Sequence, residues 1–139
     1  MKHQEVTERV IAAFYHVYNA LGWGFLERVY HLALKHELEK RGLTVSTNAR
    51  FEVFYDGVPV GEFFADLLVE GCVILELKAA EAIAPEHEAQ LLNYLRASHI
   101  DVGLVLNFGP KPQLRRKIYD TARRVVHSNS VIPDTPDSE

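Results

Sequence analysis

Phe63-Phe64-Ala65-Asp66-Leu67-Leu68-Val69-Glu70-Gly71-Cys72-Val73-Ile74-Leu75-Glu76-Leu77-Lys78 reads as two apolar strands joined by a turn at Glu70-Gly71, with Asp66, Glu76 and Lys78 interrupting the strands. Burying an unpaired carboxylate or ammonium is costly, so these groups must pair, sit in a solvated cleft or bind a metal. A Glu76–Lys78 or Asp66–Lys78 pair across the sheet is the purely structural alternative. Period two places Glu76 and Lys78 on one strand face, with Ile74 below them. The face of Asp66 depends on the turn. A two-residue hairpin at Glu70-Gly71 sets Asp66 opposite Leu75, pointing away from Glu76. A three-residue loop, Val69-Glu70-Gly71, with Gly71 left-handed in a G1 bulge, sets it opposite Ile74, on the face of Glu76. Convergence of the charges selects the bulged register, so function is used here to choose structure.

Two carboxylates and a lysine on one face suit phosphodiester hydrolysis. Hard oxygen ligands hold Mg²⁺ or Mn²⁺ and leave coordination positions for water and phosphate oxygen, while a lysine orients the water or stabilises the transition state.

Upstream, Phe51, Val53 and Tyr55 alternate with Glu52 and Phe54, and Asp56-Gly57 turns this strand into the one that ends at Val69. Pro59 marks the start of the second strand as an edge or a bulge. Earlier still, Val6, Val10, Ile11, Phe14, Val17 and Leu21 form a helical stripe ended by Gly22, and Leu26, Val29, Tyr30, Ala33, Leu34 and Leu38 form another ended by Gly42. Downstream, Pro85-Glu86 opens a helix carrying Ala89, Leu91, Leu92 and Leu95, and Val102 to Asn107 is a short apolar strand closed by Gly109-Pro110. A last helix is expected over Gln113 to Val126. The order α-α-β-β-β-α-β-α is an α/β fold, a mixed sheet of a three-strand antiparallel meander plus one further strand, flanked by helices.

The 139 residues suit one domain, read as 1–127 with a disordered tail over 128–139, and the 47% hydrophobic and 24% charged content is that of a packed globular protein. No apolar run is long enough to cross a bilayer and the polar start lacks signal-peptide order, so a cytoplasmic protein without membrane contact is expected. The single Cys72 cannot close an intrachain disulfide and reads as a small strand residue. A net charge of −4 offers nucleic acid no overall attraction. Basic residues nonetheless concentrate between Lys111 and Arg124, where Arg115, Arg116 and Lys117 are candidates for phosphate contact, the alternative being a solvated helix face.

Asp66, then nine residues, then Glu76-Leu77-Lys78 resembles the D…(D/E)xK signature of the PD-(D/E)xK, restriction-endonuclease-like nuclease superfamily, with Ala65 where the superfamily's name has proline. Gln90-Leu91-Leu92-Asn93-Tyr94 resembles the QxxxY motif of the RecB-like branch. Gly24-Phe25-Leu26-Glu27-Arg28-Val29-Tyr30 fits the pattern of the GxxExxY family within that superfamily. The similarity covers roughly Val6 to Phe108. It implies a restriction-endonuclease-like core, Mg²⁺ or Mn²⁺ as cofactor, Asp66 and Glu76 as metal ligands, Lys78 as catalytic lysine, and Glu27 joining the metal site directly or through water. Gln90 and Tyr94, four apart on one helix face, would contact the lysine, the phosphate or bound water. Tyr30 is assigned to packing and His87 to a structural or surface role.

The leading expectation is a metal-dependent nuclease acting on DNA, with RNA second. A weakly active or inactive nucleic-acid-binding or assembly module and a small-phosphoester hydrolase are the alternatives. So few elements surround the core that a homodimer or a partner is a natural source of further substrate grip.

Overall fold

A computed structural model describes residues 3–119. Two helices, α1 (Gln4–Leu21) and α2 (Glu27–Lys40), precede strands β1 (Val45–Tyr55), β2 (Val58–Val69) and β3 (Val73–Lys78). Helix α3 (Pro85–Ser98) and strands β4 (Val102–Phe108) and β5 (Pro112–Ile118) complete the chain order. The five strands lie in the order β1-β2-β3-β4-β5, antiparallel except for the parallel pair β3/β4, which α3 connects.

Apolar periodicity decides which element covers which face. The buried stripe Val10, Phe14 and Val17 of α1 and Tyr30, Leu34 and Leu38 of α2 packs on Leu67, Val69, Val73, Leu75, Leu77, Leu104 and Leu106. On the other face, Leu91 and Leu95 of α3 cover Ala65, Ile74 and Val105. Every residue of β4 is buried. This accounts for its unbroken apolar run, since a strand covered on both faces has no polar side to show.

Two expectations are corrected here. The helix over Gln113 to Val126 does not form at its start, where Pro112–Ile118 is instead β5, paired with β4 from Phe108↔Pro112 to Val102↔Ile118. Buried β4 would otherwise expose a row of unpaired backbone donors and acceptors, and that demand outweighs the modest helix preference of Arg and Lys. The meander is thus followed by two further strands. Residues 120–126 of the expected helix and the expected tail over 128–139 lie outside the described residues.

The second correction concerns the β2–β3 turn. Glu70 and Gly71 are both left-handed (φ 54° and 66°), and Cys72 N–H donates to the Val69 carbonyl at 3.0 Å. This is a two-residue turn with the positive-φ signature of type I′. The ladder nevertheless pairs Val69↔Val73, Leu68↔Ile74 and Leu67↔Leu75. Cys72 is therefore the extra residue, a bulge on the β3 side that precedes the strand. The offset differs by two from the expected one, and continuing it places Asp66 opposite Glu76 rather than Ile74. The shift is even, so strict alternation would keep the two carboxylates on one face; Asp66 Oδ1 instead turns towards His31 of α2, while Glu76 shares its strand face with Ile74 of the α3 core.

Candidate active site

The carboxylates occupy the point where β2 and β3 part. Beyond Leu67↔Leu75 no ladder pair is made, and two side chains take over the backbone partners. Asp66 N–H donates to Glu76 Oε2 at 3.0 Å, and Leu77 N–H donates to Asp66 Oδ2 at 2.8 Å. Each acid is thus held by the other's strand, which fixes both without a cation beside them.

Strand β2 turns over at the same residue. Leu67 and Val69 pack in the α1/α2 core, whereas Ala65 packs in the α3 core, although period two would keep all three on one face. Strand β1 follows, its Val45 lying with the first core and its Ala49 with the second. The β1–β2 ladder passes from Thr47↔Leu67 to Ala49↔Ala65, and Asn48, at the skipped position, is left-handed with φ 50°. Asn tolerates this conformation better than most residues. The rotation at Asn48 and Asp66 therefore comes with the one strand residue suited to it.

Glu76 is 5% exposed. Burial, then the neighbouring charge of Asp66, pushes its carboxyl up to about 8 against the opposing pull of the Asp66 N–H and Lys78; Glu27 adds a smaller upward push. Buried like charges of this kind are relieved by a proton or by a cation. Lys78, half-buried at the end of β3, draws no carboxylate of the described residues within 4.0 Å. The purely structural ion pairs from Lys78 to Glu76 or Asp66 are therefore not formed.

Glu27 is the first residue of α2 and is exposed. It reaches the site by its charge, not by contact. Tyr94 does face the carboxylates: burial, then the charges of Glu76 and Asp66, raise its phenol. Its ring stacks on Phe63 at 3.9 Å between centroids and 6° between planes. Gln90 lies one turn earlier on the exposed side of α3 and makes no hydrogen bond among the described residues. His87 Nδ1 accepts the Ala84 N–H at 3.0 Å, closing the start of α3, which is the structural role expected of it.

The basic residues are separated by strand alternation. Arg115 and Lys117 point to α3, where Glu88 approaches them at 3.7 and 2.8 Å, and Arg116 points the opposite way and donates to Thr7 Oγ1 at 2.7 Å. The single basic helix face expected for them does not exist, because these residues belong to a strand.

One neighbour was missed. His31 Nε2 stands 3.7 Å from Asp66 Oδ1. It lies four residues after Glu27, on the same face of α2, so the spacing Glu27-x-x-x-His31 was the available signal.

Among the described residues no group of three or more His, Cys, Asp and Glu forms a ready-made metal cage. The donor chemistry still fits Mg²⁺, which is typically held by one or two carboxylates and keeps several waters. Asp66 and Glu76 are such a pair, and their charge is unbalanced by any ion pair to Lys78. No described helix is long and apolar enough to cross a membrane.

Known proteins agree with this fold. Residues 4–118 match the family model described as PD-(D/E)XK nuclease superfamily. The crystal structure of SSO0001 superposes with a TM-score of 0.53 at 18% identity, over 74% of this chain and 55% of that one, so this chain spans about half of its length. No curated protein matches the sequence. With the family model extending from the start of α1 to the end of β5, the chain belongs to the PD-(D/E)XK nuclease superfamily.

Proposed function

We propose that the protein is a divalent-cation-dependent nuclease that hydrolyses phosphodiester bonds, with DNA the preferred substrate over RNA and Mg²⁺ or Mn²⁺ the cofactor. The observation that carries this reading is the reciprocal locking of Asp66 and Glu76 at the parting of β2 and β3, with Lys78 beside them and without an ion pair. A purely structural acid pair would be neutralised by that lysine. Here the two acids instead lie side by side with Glu76 buried and its carboxyl pushed up, a repulsion that a divalent cation would relieve.

In this reading Asp66 and Glu76 supply the cation's oxygen donors, and Glu27 contributes through water from the start of α2. The bound cation supplies an acidified water and offsets charge on the phosphate. Lys78 holds its ammonium towards the phosphate or the attacking water. Tyr94 places a phenol next to the same carboxylates, and Gln90 lies one helical turn from it, open to substrate. Arg115 and Lys117, on the α3 side of the sheet, would reach a phosphate by exchanging their contacts with Glu88, and Arg116 would do so only from the α1 side. The spacing Gly24, Glu27, Tyr30 supports placing the chain in the GxxExxY branch of the superfamily.

A second reading, a binding or assembly module with weak or no turnover, is favoured by the net charge of −4 and by the engagement of the basic strand with Glu88 and Thr7. Incubating the protein with single-stranded, duplex and branched DNA and with RNA, in Mg²⁺, Mn²⁺ or EDTA, separates the two. Cutting in either metal and none in EDTA is expected. Tight binding with no cutting in any condition would replace the nuclease by the binding module. Cleavage confined to small phosphoesters, and insensitive to salt, would point to a small-molecule hydrolase, because polymer binding weakens steeply as salt rises.

A further inference from the structure

A cavity of about 250 Å³ opens where the parallel strands β3 and β4 end. Its floor is Ala79-Ala80, which directly follows Lys78, and Gly109-Pro110, which follows β4; Trp23 and Phe25, just ahead of Glu27, form one wall. The lining thus includes the residue that follows Lys78 and the segment that leads into α2 and Glu27.

Each wall is held in place. Buried Asn107 accepts the Ala80 N–H at 2.9 Å and donates to the Ala80 carbonyl at 3.0 Å, clamping the segment after β3 to β4. Gly109 packs so tightly on that segment that a Cβ would collide with the Ala80 carbonyl. Tyr18 OH donates to the Gly109 carbonyl at 2.7 Å. The aromatic wall is fixed by Tyr30, whose hydroxyl accepts the Phe25 N–H at 3.1 Å and donates to the Gly22 carbonyl at 2.7 Å. Tyr30 itself stacks on Phe108 with centroids 4.4 Å apart. Trp23 and Phe25 are nevertheless 61% and 50% exposed, two large aromatic rings presented on a rigid frame.

We propose that this cavity is a subsite for one unpaired nucleobase of the substrate strand, which makes the substrate class single-stranded nucleic acid or the single-stranded part of a branched one. The proposal rests on the nuclease reading for its ligand class. A base has two flat apolar faces that stack on such rings in a sequence-tolerant way. Bases inside a duplex have those faces covered by their neighbours. Glu81 on the rim repels a phosphate, so the base and not the backbone enters. The charge of the chain supports the same conclusion: at −4 overall, and with Lys117 and Arg115 facing Glu88, the protein has little electrostatic grip on phosphates and needs another source of affinity.

Trp23 is the chain's one tryptophan, so it reports directly on the cavity. The test titrates the full chain, in EDTA, with a single-stranded oligodeoxynucleotide, the blunt duplex of the same sequence and an abasic strand of the same length, reading tryptophan fluorescence. Saturable quenching by the single strand alone is expected, with Kd weakened about tenfold or more in Phe25→Ala. Trp23→Ala, read by anisotropy of a labelled strand, should weaken binding to a similar extent, with circular dichroism confirming that both variants fold. No quenching by the single strand, equal quenching by the abasic strand or the duplex, or wild-type affinity in both folded variants overturns the subsite. Cleavage is scored separately in Mg²⁺. Cutting without single-strand quenching removes the subsite and leaves the nuclease, whereas quenching without cutting supports the subsite on a binding module.

Discussion

Asp66→Asn is expected to lower metal-dependent cleavage by on the order of a thousandfold or more while the protein stays folded. The amide oxygen still accepts the Leu77 N–H that Asp66 Oδ2 accepts at 2.8 Å, and the backbone N–H still donates to Glu76. What disappears is one negative oxygen donor. The substitution also removes a neighbouring charge that pushes the Glu76 carboxyl up. Thermal unfolding in EDTA should therefore show Asp66→Asn to be no less stable than the wild type, and more stable at alkaline pH. Activity and stability moving in opposite directions is the signature of a functional charge, because a merely structural acid would lose both. Wild-type cutting by folded Asp66→Asn would remove Asp66 from the site.

The second large effect concerns pH. Glu76 rises from an ordinary 4.5 to about 8 in the folded protein, through burial first and Asp66 second. A carboxyl raised on folding binds its proton more tightly in the native state. Its contribution is fully present below about pH 4.5 and is lost as pH rises through about 8. The metal-free protein should lose about 5 kcal/mol across that window from this residue. Glu76→Gln keeps an oxygen to accept the Asp66 N–H and removes the titration, so its unfolding should be nearly independent of pH there. Because a cation competes with the proton for Glu76, stabilisation of the wild type by Mg²⁺ should grow from about pH 6 to about pH 8.5 and be largely absent in Glu76→Gln. Parallel pH profiles for wild type and variant, measured by thermal unfolding, would contradict this assignment of the charge.

The centre of the fold was legible because its signals are local. Apolar stripes marked α1, α2 and α3, and the charges in β2 and β3 stood out against apolar neighbours. What failed depended on partners remote in sequence. Leu114, Arg115 and Arg116 have no intrinsic preference for a strand, and β4's open edge decides their state. The face of Asp66 hinges on the bulge at Cys72 and on the left-handed Asn48 across the ladder, neither of which was legible in the sequence. His31 joins Asp66 from another layer of the fold. Its spacing from Glu27 was visible, yet nothing in the helix alone showed what it would face. The cavity at the ends of β3 and β4 was beyond sequence reasoning altogether, because it is formed by segments from three parts of the chain.

The most direct test of the central claim is single-turnover cleavage of a single-stranded DNA in saturating Mg²⁺ by wild type and Lys78→Ala, alongside calorimetric Mg²⁺ titration of both. Lys78 makes no ion pair within the described residues, so its removal should leave the fold and cation binding in place. Metal-dependent cutting by the wild type, lost in Lys78→Ala with Mg²⁺ binding retained, is the predicted result. Equal cutting by both proteins, or none by either despite Mg²⁺ binding, would contradict it.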